Sequence, residues 1–125
     1  MSKTKGQLEA EVGDAIVKFE LDYMGRGPEE VRTYIVEDMV IVRLRGVLTL
    51  AEKQLAGVDG TPQGRALVKE VRQELIEKAR PLLETIIRDV TGQEVRSLHT
   101  DISTRIGERI IVFSLAGPVR VTMNA

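Results

Sequence analysis

Hydrophobic and polar positions along the chain alternate between two spacings, and this alternation divides the chain into two similar halves. In each half, a stretch with apolar residues every three or four positions leads into two short segments rich in β-branched residues. Apolar residues every three or four positions are typical of an amphipathic helix, and paired short segments rich in β-branched residues are typical of a β-hairpin. The short sequences Glu30–Thr33 and Glu94–Ser97 resemble each other and begin the two hairpins. Each half therefore offers one apolar helix face and one hairpin, which can be buried only against the other half.

In the first half, helical spacing runs from about Gln7 to Met24, with the apolar stripe Leu8, Val12, Ile16, Phe19 and Tyr23. Gly25–Pro28 should end this helix, since glycine adopts the left-handed cap and proline cannot continue the hydrogen-bond ladder. A hairpin is predicted from Val31–Val36 and Met39–Leu48. A short helix is expected over Leu50–Ala56, because Thr49 and Glu52 have capping-box spacing, and Gly57–Gly64 should interrupt it.

In the second half, helical spacing runs from about Pro62 or Arg65 to Val90. Pro81 lacks a backbone donor, so a kink or break is expected near Lys78–Pro81. The final hairpin pairs Val95–Ser103 with Arg109–Leu115. The predicted apolar stripe of the helix is Leu67, Val71, Leu75, Ile76, Ala79, Leu82, Leu83, Ile86, Ile87 and Val90.

These elements predict an α+β fold. Two helix-strand-strand halves form a four-stranded, mainly antiparallel sheet with two long helices and a short extra helix. Val40, Val42 and Leu44 share the core face of one strand, but Met39 and Ile41 point the other way, and so do Ile110 and Val112 in the last strand. If helices cover only one face, the second face is too apolar to remain in water, which predicts a homodimer. The alternative is that a helix or the tail covers this face within one chain.

Composition excludes several classes of protein. The 125 residues suit one domain over 1–125, and the net charge of −1 argues against a nucleic-acid-binding protein. The absence of cysteine excludes disulfides, zinc-thiolate sites and thiol catalysis. No apolar run is long enough to span a bilayer, and the first residues lack the apolar core of a signal peptide, so we expect a cytoplasmic protein.

The one histidine, His99, and Asp101 share a strand face at period two. A neutral imidazole beside a carboxylate could act as a general base or supply two metal ligands, but neither site is complete without further groups. An ordinary strand histidine with local hydrogen bonds is the simpler interpretation. We therefore expect no metal, no cofactor and no catalytic residue, and we keep His99 and Asp101 as candidate ligand-binding residues.

The Gly25-Arg26-Gly27 segment is the other candidate ligand-binding site. Glycines allow a ligand to approach the backbone closely, and an arginine fork suits phosphate or carboxylate. A helix-capping turn with a solvated arginine explains the same residues.

Four stretches of the chain are informative together: Gly25–Arg32; Val40–Leu44 with Gly46–Thr49 and Glu52–Leu55; Arg80–Leu83; and Leu98–Thr104. They resemble the small bacterial MpsC family. The resemblance implies association with a membrane-potential-generating system linked to sodium or inorganic-carbon uptake, and it transfers no catalytic residues. Three hypotheses follow: a homodimeric accessory or regulatory protein that binds a membrane transporter or another protein, a sensor of a small anion or nucleotide, and a small hydrolytic or lyase-type enzyme that uses His99 and Asp101.

Overall fold

The computed structural model describes residues 3–122. Its elements, in chain order, are helix α1 (Lys5–Phe19), a π-helical turn (Glu20–Met24), strands β1 (Glu30–Val36) and β2 (Met39–Arg45), helices α2 (Leu50–Ala56) and α3 (Pro62–Thr91), and strands β3 (Val95–Ser103) and β4 (Glu108–Leu115).

The four strands form one antiparallel sheet in the order β1-β2-β4-β3. The two hairpins therefore lie side by side, with β2 and β4 at the centre and β1 and β3 at the edges. Helices α1 and α3 pack against each other and on the same face of the sheet. Val42 and Phe113 are fully buried on that face, together with Ile16 of α1 and Leu83 of α3. The predicted α+β arrangement of two helix-strand-strand halves is confirmed.

Helix α1 begins at a capping box, in which Thr4 and Gln7 satisfy each other's backbone N–H groups. The predicted helix extends to Met24, but its last turn is π-helical. A π turn contains one more residue than an α turn and so rotates the residues that follow it. The placement of Tyr23 in the core was therefore wrong: Tyr23 is 36% exposed, whereas Glu20 is only 1% exposed.

Helix α3 continues without interruption from Pro62 to Thr91, so of the kink or break predicted near Lys78–Pro81, the break does not occur. Pro81 is exposed, whereas Ala79 and Leu83 on either side of it are buried. Because Ala79 and Leu83 pack on the core, the helix remains continuous at Pro81. The Thr85 hydroxyl also donates to the Pro81 carbonyl oxygen at 3.0 Å.

Much of the buried stripe of α3 lies one residue later in sequence than the predicted stripe. Leu67, Val71 and Leu82 were predicted to be buried, and they are 53%, 48% and 48% exposed. The prediction followed hydrophobic residues, but the face that contacts the core includes a charged one, Arg72. The buried residues are Gly64, Val68, Arg72, Ile76, Ala79, Leu83, Ile87 and Thr91.

Strand β2 ends at Arg45 rather than Leu48, because Gly46 turns the chain with a φ of 69°. Helix α2 begins at the predicted capping box of Thr49 and Glu52. The interruption after α2 is shorter than predicted, since Gly64 belongs to α3.

The segment after β4 returns to the start of the chain. The backbone N–H of Thr122 donates to the Lys3 carbonyl oxygen at 2.8 Å, and Val119 and Val121 pack against the core.

Candidate functional site

Gly25, Arg26 and Gly27 form the connection between the π turn and β1. Gly25 has a φ of 87°, the left-handed conformation in which helices commonly end. The Arg26 guanidinium donates from Nε to the Gly46 carbonyl oxygen at 3.2 Å and from Nη2 to Glu29 Oε1 at 3.1 Å. Arg26 therefore ties the end of the helix to the end of β2, and a role in ligand binding stays a prediction.

His99 and Asp101 share one face of β3, as predicted, but each pairs with a different group. His99 Nε2 lies 3.1 Å from Ser97 Oγ. Asp101 Oδ1 accepts a hydrogen bond from the Ile102 backbone at 2.9 Å and lies 3.2 Å from Lys69 Nζ. The backbone hydrogen bond and then Lys69 hold the pKa of the Asp101 carboxyl below its usual range. Within residues 3–122, no hydrogen bond joins His99 to Asp101.

The two predicted candidate groups do not form one site. Arg26 lies beside the start of β1 and the end of β2, at the open end of that hairpin, whereas His99 and Asp101 lie on β3, at the opposite edge of the sheet. Their roles as ligand-binding residues stay predictions, and any ligand would have to bind them separately.

The face of the sheet opposite α1 and α3 is hereafter called the outer face. Four cross-strand rows form it, each with one residue from β1, β2, β4 and β3 in that order. The rows are Val36, Met39, Ser114 and Ser97; Tyr34, Ile41, Val112 and His99; Arg32, Arg43, Ile110 and Asp101; and Glu30, Arg45, Glu108 and Ser103. The first two rows are mostly apolar and the last two mostly charged.

The apolar part of the outer face is only partly buried. Tyr34 and Val36 are 45% and 42% exposed, and Met39, Ile41 and Val112 are half-buried. An apolar surface of this kind, bordered by polar residues, commonly marks a protein interface.

At the charged end of the outer face, Glu108 Oε2 accepts from Arg43 Nε at 3.0 Å and from Arg45 Nε at 3.2 Å. These two hydrogen bonds hold the pKa of Glu108 below its usual range. The side chains of Arg32 and Asp101, on the two edge strands, are 63% and 77% exposed.

A cleft of about 730 Å³ lies beside this charged end. Its charged lining residues are Arg43, Arg45, Lys53, Arg105, Glu29, Asp59 and Glu108. Cations exceed anions there by one, and the two strand arginines already pair with Glu108. The cleft therefore has a small net positive charge, and a ligand there would have to compete with Glu108 for the two strand arginines.

A cluster of buried charges lies on the core side of the sheet. Glu20, Arg72 and Arg109 are each 1% exposed. Arg72 donates to both carboxylate oxygens of Glu52, with Nε 2.8 Å from Oε2, and its Nη2 lies 2.7 Å from the Val47 carbonyl oxygen. Burial raises the pKa of Glu52, but the hydrogen bonds and positive charge of Arg72 together with the hydrogen bonds of Thr49 outweigh it, and the net pKa is lower than usual.

Arg109 and Glu20 are less completely paired. Arg109 Nη1 donates to Thr100 Oγ1 at 2.9 Å, but its Nε and Nη2 have no hydrogen-bond partner among residues 3–122. Within the same residues, neither carboxylate oxygen of Glu20 has a partner. Burial raises the pKa of Glu20, and the positive charges of Arg72 and Arg109 only partly oppose this. Burial also lowers the pKa of Arg109.

None of these three buried charges was predicted from the sequence, although their spacing carries a signal. Arg72 lies four residues after Val68 and four before Ile76, Glu20 lies four residues after Ile16, and Arg109 lies two residues before Ile111. Each charged residue thus occupies a position where the period of its element requires a buried side chain. A charge at such a position is uncommon and has to be paired or hydrogen-bonded.

Within residues 3–122, no helix is both long and apolar enough to cross a bilayer. No group of three or more His, Asp or Glu side chains in that range is arranged to hold a metal ion.

Comparison with known proteins gives one family and two relatives. The family model described as "Na+-translocating membrane potential-generating system (MpsC)" matches residues 4–117. An uncharacterized protein of Bacillus subtilis (strain 168), YbcI, is 44% identical over 124 residues, which cover 99% of this chain and 98% of the relative. A second uncharacterized protein of the same organism, YrhF, is 37% identical over 106 residues, covering 82% and 80% of the two chains. No solved structure matches the chain.

Proposed function

The chain belongs to the MpsC family, and on that premise we propose that it is an accessory or regulatory protein of a membrane-potential-generating system, acting as a homodimer joined through the outer faces of two sheets. The description of the family supports the association with such a system, which would be one that transports sodium or inorganic carbon. The half-exposed apolar outer face is the observation that supports the dimer. The proposal keeps the cytoplasmic location expected from the sequence.

The size of the outer face fits a modest dimer interface. Four strands about 4.8 Å apart and seven residues at about 3.4 Å each give a flat footprint of roughly 450 Å². Side chains make the accessible area larger than this footprint. The buried area would therefore approach the roughly 600–1,000 Å² that each partner buries in a specific complex.

The charges on the outer face complement one another under one particular symmetry. Consider a two-fold axis that runs parallel to the strands, between β2 and β4. Each row then faces the same row of the second copy, with β1 opposite β3 and β2 opposite β4. Arg32 of one copy would face Asp101 of the other, Arg45 would face Glu108, and Ile41 would face Val112.

The alternative axis, perpendicular to the strands, gives a poorer match. It would place the fourth row, which contains Arg45 and Glu108, against the first row, which contains Met39 and Ser114. Charged groups would then lose water without gaining an opposite charge, which is costly. Electrostatic complementarity therefore favours the axis parallel to the strands.

The dimer is tested by the substitution Ile41→Lys, which places a charge at the centre of the outer face. Its control is Val58→Lys, because Val58 is 99% exposed on the loop between α2 and α3. In sedimentation velocity, we expect the wild type and Val58→Lys to be dimers and Ile41→Lys to be a monomer with an unchanged circular dichroism spectrum. A monomeric wild type, or a dimer that persists in Ile41→Lys, would contradict the proposed interface.

The accessory role is tested in the host cell by deleting the gene and measuring membrane potential with a voltage-sensitive dye in sodium-containing medium. We expect the potential to fall, and to recover when the wild type or Val58→Lys is supplied but not when Ile41→Lys is supplied. If the deletion leaves the membrane potential unchanged, the accessory role is wrong even where the dimer is real.

A further inference from the structure

A second cleft lies where the loop between α2 and α3 meets the turn between β3 and β4. Its lining residues are Ala56, Gly57, Val58, Arg65 and Arg105, and its volume is about 420 Å³. We call it the arginine cleft, because two cations and no acidic residue among 3–122 line it. Its volume lies within the roughly 300–1,000 Å³ that is usual for small-molecule sites.

No neighbouring acid neutralises either arginine of this cleft. Arg65 Nη1 donates to the Gly60 carbonyl oxygen at 3.1 Å, and this uncharged partner leaves the positive charge in place. Arg105 is exposed, and its guanidinium group has no hydrogen-bond or ion-pair partner within the part of the chain that the structure describes. Two like charges that border one cleft repel each other, and an anion between them replaces this repulsion with attraction.

Hydrogen bonds hold the backbone on both sides of the arginine cleft. In the loop between α2 and α3, the Thr61 N–H donates to the Leu55 carbonyl oxygen at 3.2 Å. In the turn between β3 and β4, the Gly107 N–H donates to the Ser103 carbonyl oxygen at 2.8 Å. A site whose walls are ordered before binding loses less conformational entropy when the ligand binds.

A phosphate monoester matches the charge of the arginine cleft. Its second pKa is about 6, so it carries close to two negative charges at pH 7.5, against the two positive charges of Arg65 and Arg105. Each guanidinium group has a planar fork of N–H donors that can bond two phosphate oxygens at once. A single carboxylate group would neutralise only one of the two arginines.

The larger cleft of about 730 Å³ adjoins the arginine cleft, because both are lined by Gly57, Val58 and Arg105. It adds the apolar side chains of Leu48 and Ile106, and Ile106 is 65% exposed. An organic group attached to the phosphate would cover Ile106 and remove apolar surface from water.

Acidic side chains separate the two clefts chemically. Glu29, Asp59 and Glu108 line the larger cleft but not the arginine cleft. They would repel a second anionic group, so the organic part of a ligand that occupies both clefts should be uncharged.

From this arrangement we infer that Arg65 and Arg105 bind the phosphate group of a small phosphate monoester, whose uncharged organic part lies against Ile106. None of these three residues belongs to the outer face. The site therefore goes beyond the proposed accessory function, and ligand binding can succeed or fail independently of the dimer.

Phenyl phosphate is a suitable probe, because it joins a phosphate group to one uncharged ring. We would titrate it into the isotope-labelled protein at pH 7.5 and constant ionic strength, and follow amide chemical shifts by NMR. The proposal expects saturable shifts concentrated in residues 56–65 and 103–107. Shifts that rise without saturation, or that spread over the whole chain, would mean an adventitious ion only and would overturn the proposal.

Substitution of the two arginines locates the phosphate group. Arg105→Gln should weaken binding of phenyl phosphate about tenfold or more, because a charged hydrogen-bond donor is lost. The control is Arg88→Gln, since Arg88 is 49% exposed on the same helix as Arg65 and lies roughly 35 Å further along it. Arg65→Gln should also weaken binding, with folding checked by thermal melting because the bond to Gly60 is lost. Equal affinities in Arg105→Gln and Arg88→Gln would contradict the site, whatever the result with Arg65→Gln.

Comparison with inorganic phosphate tests the organic part of the ligand. The wild type should bind phenyl phosphate more tightly than inorganic phosphate, because only the former has a ring to cover Ile106. Ile106→Ser should lose this preference and bind inorganic phosphate as the wild type does. If the wild type binds both compounds equally, or if Ile106→Ser keeps the preference, the placement of the organic part against Ile106 is wrong.

Discussion

Arg72 gives the sharpest test of the buried charge cluster. Its side chain is 2% exposed and makes hydrogen bonds to the carboxylate of Glu52 and to the Val47 carbonyl oxygen. The substitution Arg72→Met keeps most of the volume and removes all of these donors. The Val47 carbonyl then loses a partner, and Glu52 keeps only its cap interaction with Thr49.

The cost can be estimated from the groups left behind. Removing one partner of a buried ion pair typically costs about 3–5 kcal/mol, because the other charge stays buried and uncompensated. The Glu52 side chain is 20% exposed, so water can reach it and the lower end applies. We expect Arg72→Met to lower the free energy of unfolding by about 3 kcal/mol, a large part of the roughly 5–15 kcal/mol of a typical domain.

The assay is urea unfolding followed by circular dichroism, at one fixed protein concentration because the stability of the proposed dimer would depend on concentration. With a slope of about 1.5 kcal/mol per molar urea, the midpoint should fall by about 2 M. The matched control is Arg80→Met on the same helix. Arg80 pairs with Glu77 at the surface, where the two side chains are 34% and 54% exposed, and should cost less than about 1 kcal/mol. Equal midpoint shifts in the two variants would refute the claim that the buried pair stabilises the fold.

Three further predictions concern proton binding, packing and capping. The pKa of Glu20 is raised in the folded chain above its usual 4.5. Its contribution to the free energy of unfolding is therefore full below pH 4.5 and is lost as the pH rises through the folded pKa. Glu20→Gln should remove this loss of stability, measured by urea unfolding between about pH 5 and 8. At Gly64 an added Cβ would collide with the Leu55 carbonyl oxygen, so Gly64→Ala should lower the melting temperature and cost about 1–3 kcal/mol, whereas Gly6→Ala, with open space around it, should raise that temperature slightly. Thr49→Ala removes the hydroxyl that accepts from the Glu52 backbone N–H and should cost about 1 kcal/mol in the same melting assay, and an unchanged melting temperature would mean that α2 does not depend on its cap.

The parts of the fold that the sequence predicted correctly are those in which local chemistry and burial agree. The strand alternation around Val40, Val42 and Leu44 matches a sheet with one core face, and the capping box at Thr49 begins α2. Gly25 has the left-handed conformation expected of a residue that ends a helix. In each case a short segment carries its own signal.

The errors arose where tertiary packing overrides the local signal. Pro81 predicts an interruption, but buried neighbours keep α3 continuous. Leu67, Val71 and Leu82 follow hydrophobicity, but the helix turns a different stripe toward the core. That stripe includes Arg72, whose partners lie 20 and 25 residues away in sequence and cannot be inferred from local spacing.

The candidate site was predicted less well than the fold. His99 and Asp101 were proposed from the sequence, whereas Arg109 and Glu20 were missed, although their spacing places both on buried faces. A single charged residue within an alternating strand is normally a solvent-facing one. Arg109 shares the core face with Ile111 by the two-residue period, and its partner Thr100 follows only from the pairing of β3 with β4.

The outer face offers the most direct test of the proposed dimer, through a charge exchange between its two edge strands. Arg32→Asp and Asp101→Arg would be measured by sedimentation equilibrium, separately and combined in one chain. The proposed two-fold axis predicts that each single substitution weakens the dimer, because like charges then face each other, and that the combined variant regains most of the wild-type affinity. If the combined variant loses as much dimerisation free energy as the two single variants together, this arrangement is contradicted.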